Sequence, residues 1–493
     1  MKRNQFLSNL LPIVCFSVLG FAAMGYHPGA EDDGVYLSAI KSDLHPALFP
    51  HDSDFFRLQL QATVFDGWMA NFVQLTGISV AWTEIIWQWV AILVILWACR
   101  EIAGQIFPER HAQWAAVALV SAMFTLPVAG TALTLVDQHL HPRALATALI
   151  LVGVSRILAG KRWQAAPCVI LAILLHPIMG VLGLSFCFFL TLATLETAPE
   201  WLRLRTVTTT AASVAPLGWI FEPPSPEWRQ ALHTRTYFFL TKWTWYEWLG
   251  ALVPLFLFCL LWRFASRRGE VKLARLALAI FVYGVFQQIV AIIVLGVPAF
   301  ERLRPMQPMR FLHLIYVFLC LIGGGLLGKY LLKTKVWRWA VFLVVANGGM
   351  FYAQRQLFAG TPHMEFPGSA TDNPWLQAFA WIRKNTPEDA YFALDPNYMA
   401  APGEDYHSFR ALAERSELSD AIKDAAVATQ VPSLAPIWRD QQVAMEGWPH
   451  FQLHDFERLK SRYKVNWVIV SYPPAAGLTC AWHNGSVSVC KIP

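Results

Sequence analysis

Three consecutive acids, Glu31-Asp32-Asp33, follow the first apolar segment of the chain, which ends near Tyr26. A carboxylate can accept a proton from an attacking hydroxyl group or bind a divalent cation. An acidic cluster at the rim of a membrane bundle costs free energy unless it is solvated, paired or used in function. The triplet is therefore a candidate catalytic site. The alternative is a solvated loop in which Asp33 caps a helix that begins near Gly34.

A second candidate site is the segment 297–310, VPAFERLRPMQPMR, which contains Arg302, Arg304 and Arg310. The planar guanidinium group binds phosphate oxygens in a forked geometry. These arginines are therefore candidates for binding a phosphate or pyrophosphate group at the membrane surface. Contact with lipid headgroups, or pairing with the acids of the first loop, is the alternative interpretation.

A third group of polar residues lies in LVDQHLHPR, which contains Asp137, His139, His141 and Arg143. These side chains could contact a polar substrate or ligate a metal. Two histidines separated by one residue do not share a helix face, so a metal site would require a loop or a strand. An ordinary polar loop is the favoured interpretation.

The fourth candidate is His176, which precedes Pro177 in a long apolar stretch. Ionisable residues at membrane depth are rare and usually have a function, so His176 is a candidate for substrate binding. A neutral histidine that bonds a backbone carbonyl freed by the proline is the alternative.

Composition shows which elements must position these residues. The 493 residues are 56% hydrophobic and only 15% charged, whereas soluble domains carry roughly a quarter charged residues. The chain is therefore predicted to be a polytopic α-helical membrane protein with about eleven spans. The first span covers about Phe6–Tyr26, and the others cover about 82–99, 112–130, 142–159, 163–176, 178–195, 206–221, 246–264, 273–297, 311–332 and 336–355.

The distribution of basic residues predicts the orientation. Residues 1–359 contain 28 Lys and Arg against 18 Asp and Glu, and residues 360–493 contain 11 against 15. The basic excess lies in the membrane part, where it sets topology and does not indicate nucleic-acid binding. The densest basic loops fall inside only if two helices meet at His176-Pro177. This predicts a cytoplasmic N-terminus, an exported C-terminal domain and an outer position for the first three candidate sites. His176-Pro177 then turns at the outer face or in a re-entrant pocket.

The loop 27–81 between the first two spans is long and acidic. Gly34–Phe49 and Phe55–Leu75 carry apolar residues at helical spacing, so they are predicted to lie in the membrane interface as amphipathic helices.

Residues 360–493 have a soluble composition and are predicted to form a small α/β domain. Helices are expected at Pro374–Lys384 and His454–Tyr463, and strands at Tyr391–Leu394 and Trp467–Ser471. Cys480 and Cys490 flank a predicted hairpin that turns at Asn484-Gly485, and we expect them to form a disulfide in an oxidising compartment.

This layout resembles the GT-C superfamily of membrane glycosyltransferases, in an uncharacterised bacterial branch. The resemblance rests on the first span followed by an acidic external loop, on the external C-terminal domain, and on the phrases YLSAIKSDLHPALFPHD and WIRKNTPEDAYF. It implies an integral protein of the bacterial inner membrane that transfers a sugar from a polyprenyl-phosphate donor to an acceptor at the outer face. The acceptor itself is not indicated.

The resemblance also implies residue roles. Asp32 or Asp33, with Glu31 third, would position or deprotonate the acceptor, and the arginines of 302–310 would stabilise the departing lipid phosphate. The sequence contains no second acidic motif of the kind that metal-dependent members use, so the resemblance does not imply a bound metal. A divalent cation at the acid triplet is the alternative, and no other cofactor is indicated. Membrane lipids are the remaining expected partners.

Two other functions fit the same layout. A non-catalytic relative would bind lipid or a partner in envelope assembly. A transporter is disfavoured because few charges lie inside the predicted spans.

Overall fold

A computed structural model describes residues 2–195, 223–401 and 403–493 of the chain. Within these ranges, six helices are long and apolar enough to cross a membrane, so the chain is a mostly helical membrane protein. They correspond to six of the predicted spans, whereas the predicted span 206–221 lies outside the described residues. Their bounds are Val80–Ile106, Pro177–Thr194, Trp245–Arg267, Val271–Gly296, Pro308–Leu332 and Val336–Leu357.

Of the other predicted spans within the described residues, the first forms the helix Lys2–Met24 and the rest form helices of 17 residues or fewer, so a count of eleven spans is not established. The prediction of a span at 112–130 is wrong, because that helix covers only Arg110–Ala122. Thirteen residues extend about 20 Å, less than the hydrocarbon core of a bilayer. The chain then forms a two-stranded ribbon of β1 (Pro127–Val128) and β2 (Leu133–Thr134). The remaining helices of this part are Lys2–Met24, Pro142–Leu158, Ala165–Leu175 and Pro226–His233.

The helical path breaks at His176-Pro177, as the two-helix interpretation predicts. One helix ends at Leu175 and the next begins at Pro177. Proline fits the first position of a helix because it has no backbone N–H to leave unpaired there. The His176 Nδ1 accepts the backbone N–H of Met179 at 3.3 Å and caps the second helix.

The first loop forms three helices where two amphipathic ones are predicted. Their bounds are Asp33–Leu44, Asp54–Leu60 and Phe65–Thr76. The first of these does not lie flat at an interface, because the C-terminal domain covers it and most of its residues are buried. This helix and the C-terminal domain approach so closely that a Cβ built on Gly34 would lie 2.3 Å from the Cβ of Ser408, a residue of that domain.

The C-terminal domain contains a five-stranded sheet in the order β4-β3-β5-β7-β6. Strands β4, β3 and β5 are parallel, and β7 pairs antiparallel with β5 on one side and with β6 on the other. A disulfide joins Cys480 and Cys490 across the hairpin of β6 and β7. The strands are β3 (Tyr391–Ala393), β4 (Ser416–Glu417), β5 (Trp467–Ser471), β6 (Thr479–His483) and β7 (Val487–Lys491). The helices are Pro374–Asn385, Phe409–Ala413, Lys423–Gln430, Ala435–Ala444 and Leu453–Tyr463.

Backbone pairing joins this domain to the start of the first loop. Tyr26 pairs with Met364, and Ala30 pairs with His407. The acidic triplet therefore begins where the first helix, the first loop and the C-terminal domain meet.

Candidate active site

The side chains of the adjacent acids Asp32 and Asp33 point in different directions. Asp33 is the first residue of the helix Asp33–Leu44 and is almost fully buried, with its Oδ2 accepting the N–H of Gly29 at 2.6 Å. Asp32 precedes the helix and keeps 45% of its side chain exposed, although protein surrounds it on several sides. The reason for the divergence is helical geometry, in which successive residues are rotated by about 100°.

Asp32 faces a cavity of about 310 Å³, which we call the Asp32 cavity. Its walls come from the first loop, the His141 and His176 turns, the segment 306–310 and the C-terminal domain. The polar groups that line it are Asp32, Tyr36, Gln59, Thr63, His141, His176, Tyr237, Gln307, Arg310, Lys423 and Gln430. Six segments that are distant in sequence, including the one that contains Tyr237, therefore supply one polar site beside apolar helices.

A lysine of the C-terminal domain contacts the acids directly. The Lys423 Nζ lies 2.5 Å from the Glu31 Oε2 and 3.0 Å from the Asp32 Oδ1. Burial alone would raise the pKa of Asp32, but Lys423 and then His141 outweigh it and hold that pKa well below its ordinary value. Asp32 is therefore an anion in this state.

His141 stands on the other side of Asp32. Its Nδ1 accepts the N–H of Arg143 at 2.9 Å, so its Nε2 carries the proton and faces the Asp32 Oδ2 at 3.8 Å. Burial, with a smaller effect of Arg143, lowers the pKa of His141 to about 4, so the ring is neutral near pH 7. The ring of His176 stacks on it with centroids 5.8 Å apart, and both rings line the cavity.

Arg310 supplies a cationic group of the cavity. Its Nε donates to the Gln307 Oε1 at 2.5 Å, and Gln307 adopts a left-handed backbone conformation. No carboxylate among residues 2–195, 223–401 and 403–493 forms an ion pair with Arg310. The guanidinium group is therefore available to an anionic ligand.

The other two arginines of this segment lie elsewhere. Arg304 sits over the ring of Phe239, with its guanidinium carbon 5.0 Å from the ring centre. Arg302 donates to the carbonyl of Pro223 at 3.4 Å. The segment folds into two short 3-10 turns, Pro298–Met306 and Pro308–Phe311, and only the part from Met306 onwards reaches the cavity. The predicted three-arginine site is thus reduced to Arg310.

Asp137 and His139 lie behind the cavity and do not line it. The Asp137 carboxylate binds Arg143 through two contacts of 2.6 and 3.2 Å, and both side chains are largely buried. His139 is buried, and its ring centre lies 6.1 Å from that of His141. The Asp137–Arg143 pair supports the turn that presents His141, because Arg143 also donates its backbone N–H to that ring.

Sequence patterns do not reveal the role of Lys423. It lies 392 residues after Glu31, in a stretch with no motif, and only the folded chain brings the two together. Tyr237 also lines the cavity without a signal in the sequence.

Across the described part of the chain, no group of three or more His, Cys, Asp or Glu side chains is arranged to hold a metal ion. Glu84, an acid that belongs to no sequence motif, is buried in the spanning helix Val80–Ile106.

Comparisons with known proteins give limited matches. Residues 373–427 match a domain of unknown function, DUF6798. A search of curated proteins found no match. The structure is similar to that of the apo oligosaccharyltransferase from Archaeoglobus fulgidus, with a TM-score of 0.48 and 12% identity, over 94% of this chain and 69% of that one. The same archaeal enzyme in complex with Zn and sulfate gives a TM-score of 0.48 and 11% identity, over 93% and 68%.

Proposed function

We propose that this chain is a GT-C-type glycosyltransferase of a bacterial inner membrane. It transfers a sugar from a polyprenyl-phosphate donor to a hydroxyl acceptor at the outer face. The observation that carries the proposal is that Asp32 and Arg310 line one cavity at the ends of apolar helices. A proton acceptor and a phosphate-binding cation are the two groups that this transfer needs.

The reaction assigns a step to each group. The acceptor oxygen attacks the anomeric carbon of the donor sugar and gives its proton to Asp32. The bond between that carbon and the phosphate oxygen breaks, and the electron pair leaves with the lipid phosphate. Arg310 stabilises the negative charge that develops there, and a preorganised cation in a partly enclosed site is an effective stabiliser.

The volume and lining of the cavity support this assignment. About 310 Å³ suits a sugar phosphate, at the lower end of the range for small-molecule sites. Tyr36, Gln59 and Gln430 offer hydrogen bonds for sugar hydroxyl groups. Leu60, Leu175 and Ile178 add apolar walls, and Ile178 belongs to the spanning helix Pro177–Thr194, along which a prenyl chain would approach.

Transfer from a synthetic polyprenyl-phosphate sugar by the purified protein tests the proposal. Asp32→Asn is expected to lower kcat by about 100-fold or more, the usual size of general-base catalysis. Arg310→Met is expected to lower kcat because the leaving phosphate loses its cation. Asp33→Asn is the matched control, since asparagine keeps an oxygen that accepts the Gly29 N–H. Wild-type activity of the Asp32→Asn variant would contradict the catalytic role of Asp32.

A further inference from the structure

Lys423 occupies an unusual position in the proposed site. It belongs to the C-terminal domain, yet its ammonium group contacts both Glu31 and Asp32 and lines the same cavity as Arg310. Its side chain is only 11% exposed, whereas each acid side chain keeps 45% of its surface exposed. One mostly buried cation is thus shared by two accessible anions.

This arrangement conflicts with the proposed chemistry of Asp32. A carboxylate in contact with an ammonium group binds a proton weakly, because the cation favours the ionised form. The pKa of Asp32 is accordingly held well below its ordinary value. A group in that state is a poor acceptor for the proton of a hydroxyl nucleophile.

The cavity also offers a way to remove the cation. A phosphate monoester placed between Arg310 and Lys423 would present several acceptor oxygens to the lysine. The flexible four-carbon stem of lysine and its three rotatable donors allow the ammonium group to change partners with little movement of the backbone. Glu31 and Asp32 both bind Lys423, so both acids compete with a phosphate for its ammonium group.

We propose that Lys423 is a positioning residue that exchanges its contact with Asp32 for the phosphate of the bound donor. Donor binding then restores the basicity of Asp32, so the acid becomes active only when the sugar phosphate is in place. This inference rests on the proposed glycosyl transfer. It makes the C-terminal domain part of the site and couples phosphate binding to proton acceptance.

Binding of farnesyl phosphate, a short isoprenoid monophosphate, tests the exchange by titration calorimetry on the full-length protein in detergent. Glu31→Gln removes one of the two anions that compete for Lys423, so the affinity is expected to rise about 3- to 10-fold. Lys423→Met is expected to lower the affinity about 10-fold, the size of one charge-assisted hydrogen bond. In the Lys423→Met variant, Glu31→Gln is expected to leave the affinity for farnesyl phosphate unchanged, because no ammonium group remains to be released.

Two controls isolate the effect. Lys384→Met removes an exposed lysine of the same domain and is expected to leave the affinity unchanged. Farnesol, which lacks the phosphate, is expected to bind the Lys423 variants as it binds the wild type. Lys423→Arg keeps the charge and is expected to keep most of the affinity, which separates loss of charge from failure to fold.

The pH profile of sugar transfer gives a second measurement that a purely structural lysine would not change. Lys423→Met removes the cation from Asp32, so the acid limb of kcat/KM is expected to move to higher pH. Lys423→Arg is expected to return the limb toward that of the wild type.

The outcomes separate this inference from the proposed function. Additive effects of Glu31→Gln and Lys423→Met on farnesyl phosphate affinity, with an unmoved acid limb, would overturn the exchange. If Arg310→Met still weakened binding and transfer in that case, the proposed function would stand. A wild-type protein that neither binds farnesyl phosphate nor transfers sugar would overturn both.

Discussion

At the scale of single residues, the neighbours Asp32 and Asp33 show how far a sequence motif can be interpreted. The acid triplet and its position after the first apolar helix are visible in the sequence. The sequence does not show which acid faces the cavity. A helix begins at Asp33, and its geometry turns the Asp33 side chain into the protein. Burial raises the pKa of Asp33, whereas the pKa of Asp32 is lowered, so two adjacent carboxyl groups differ in charge behaviour.

The Asp137–Arg143 pair leads to a prediction about stability. Asp137→Asn leaves the Arg143 guanidinium group, which is only 4% exposed, without its anion. Breaking one side of a buried pair costs about 3–5 kcal/mol, so the Tm in detergent is expected to fall by several degrees. Replacing both residues by Asn and Met is expected to recover part of the loss.

A surface pair provides the control for this measurement. Asp440 pairs with Arg462, and both side chains are about half exposed, so Asp440→Asn is expected to cost less than about 1 kcal/mol. Equal Tm values for the Asp137→Asn and Asp440→Asn proteins would show that the buried pair does not stabilise the turn that holds His141.

At the scale of elements, hydropathy locates the long apolar helices, and the basic loops predict which turns share one end of the bundle. The structure places His141, His176 and Arg310 around one cavity, although they come from three separate turns. The sequence could not distinguish Arg310 from Arg302 and Arg304. That difference depends on two 3-10 turns whose local geometry no periodic pattern encodes.

The helix Lys423–Gln430 is held in place by a local cap. The Asp420 Oδ1 accepts the backbone N–H groups of Ile422 and Lys423 at 2.6 and 2.5 Å. Asp420→Ala removes these bonds and a longer one of 3.4 Å from the Asp424 N–H, so it is expected to cost about 1 kcal/mol and to displace Lys423. Farnesyl phosphate affinity is expected to fall about 3- to 10-fold in titration calorimetry.

A cap at a distance from the cavity separates stability from placement. The side chain of Asn373 accepts the N–H groups of Trp375 and Leu376 at the start of another helix of the same domain. Asn373→Ala is expected to lower Tm to a similar extent without changing the affinity. An equal loss of affinity in both variants would mean that general destabilisation, and not the position of Lys423, governs binding.

At the scale of the whole molecule, the C-terminal domain completes the cavity and covers the first-loop helix Asp33–Leu44. Composition predicts a separate soluble domain from about residue 360, and its helix and strand positions are close to those in the structure. The contacts of this domain with the first loop were not predictable. They join residues more than 300 positions apart, and neither periodicity nor charge pattern specifies such pairs.

A carboxylate between two histidines contributes to this docking. Glu365 lies 2.6 Å from the His27 Nδ1 and 3.2 Å from the His407 Nε2, and both rings are fully buried. Burial alone would lower the pKa of His407, but Glu365 outweighs it and raises that pKa above its ordinary value. Burial likewise opposes ionisation of Glu365, but the two histidines lower its pKa to about 2.

These shifts give the docking a defined pH dependence. The raised pKa of His407 contributes stability that is complete below pH 6.5, the ordinary histidine value, and is lost as the pH rises through the folded value. The lowered pKa of Glu365 contributes stability above about pH 4.5 that is lost as the pH falls toward 2. The ion pair is therefore strongest between about pH 4.5 and 6.5. Glu365→Gln is expected to lower Tm more at pH 6 than at pH 8.5.

Another carboxylate at the same junction provides the matched control. Glu414 binds Lys41 at 2.7 Å, and a lysine stays charged throughout this pH range. Thermal unfolding of both variants from pH 5 to pH 9 is the measurement. The Tm loss of Glu414→Gln is expected to be flat from pH 6 to pH 8.5, while that of Glu365→Gln shrinks as His407 loses its proton. Parallel curves for the two variants would show that His407 is not charged when the domain is docked.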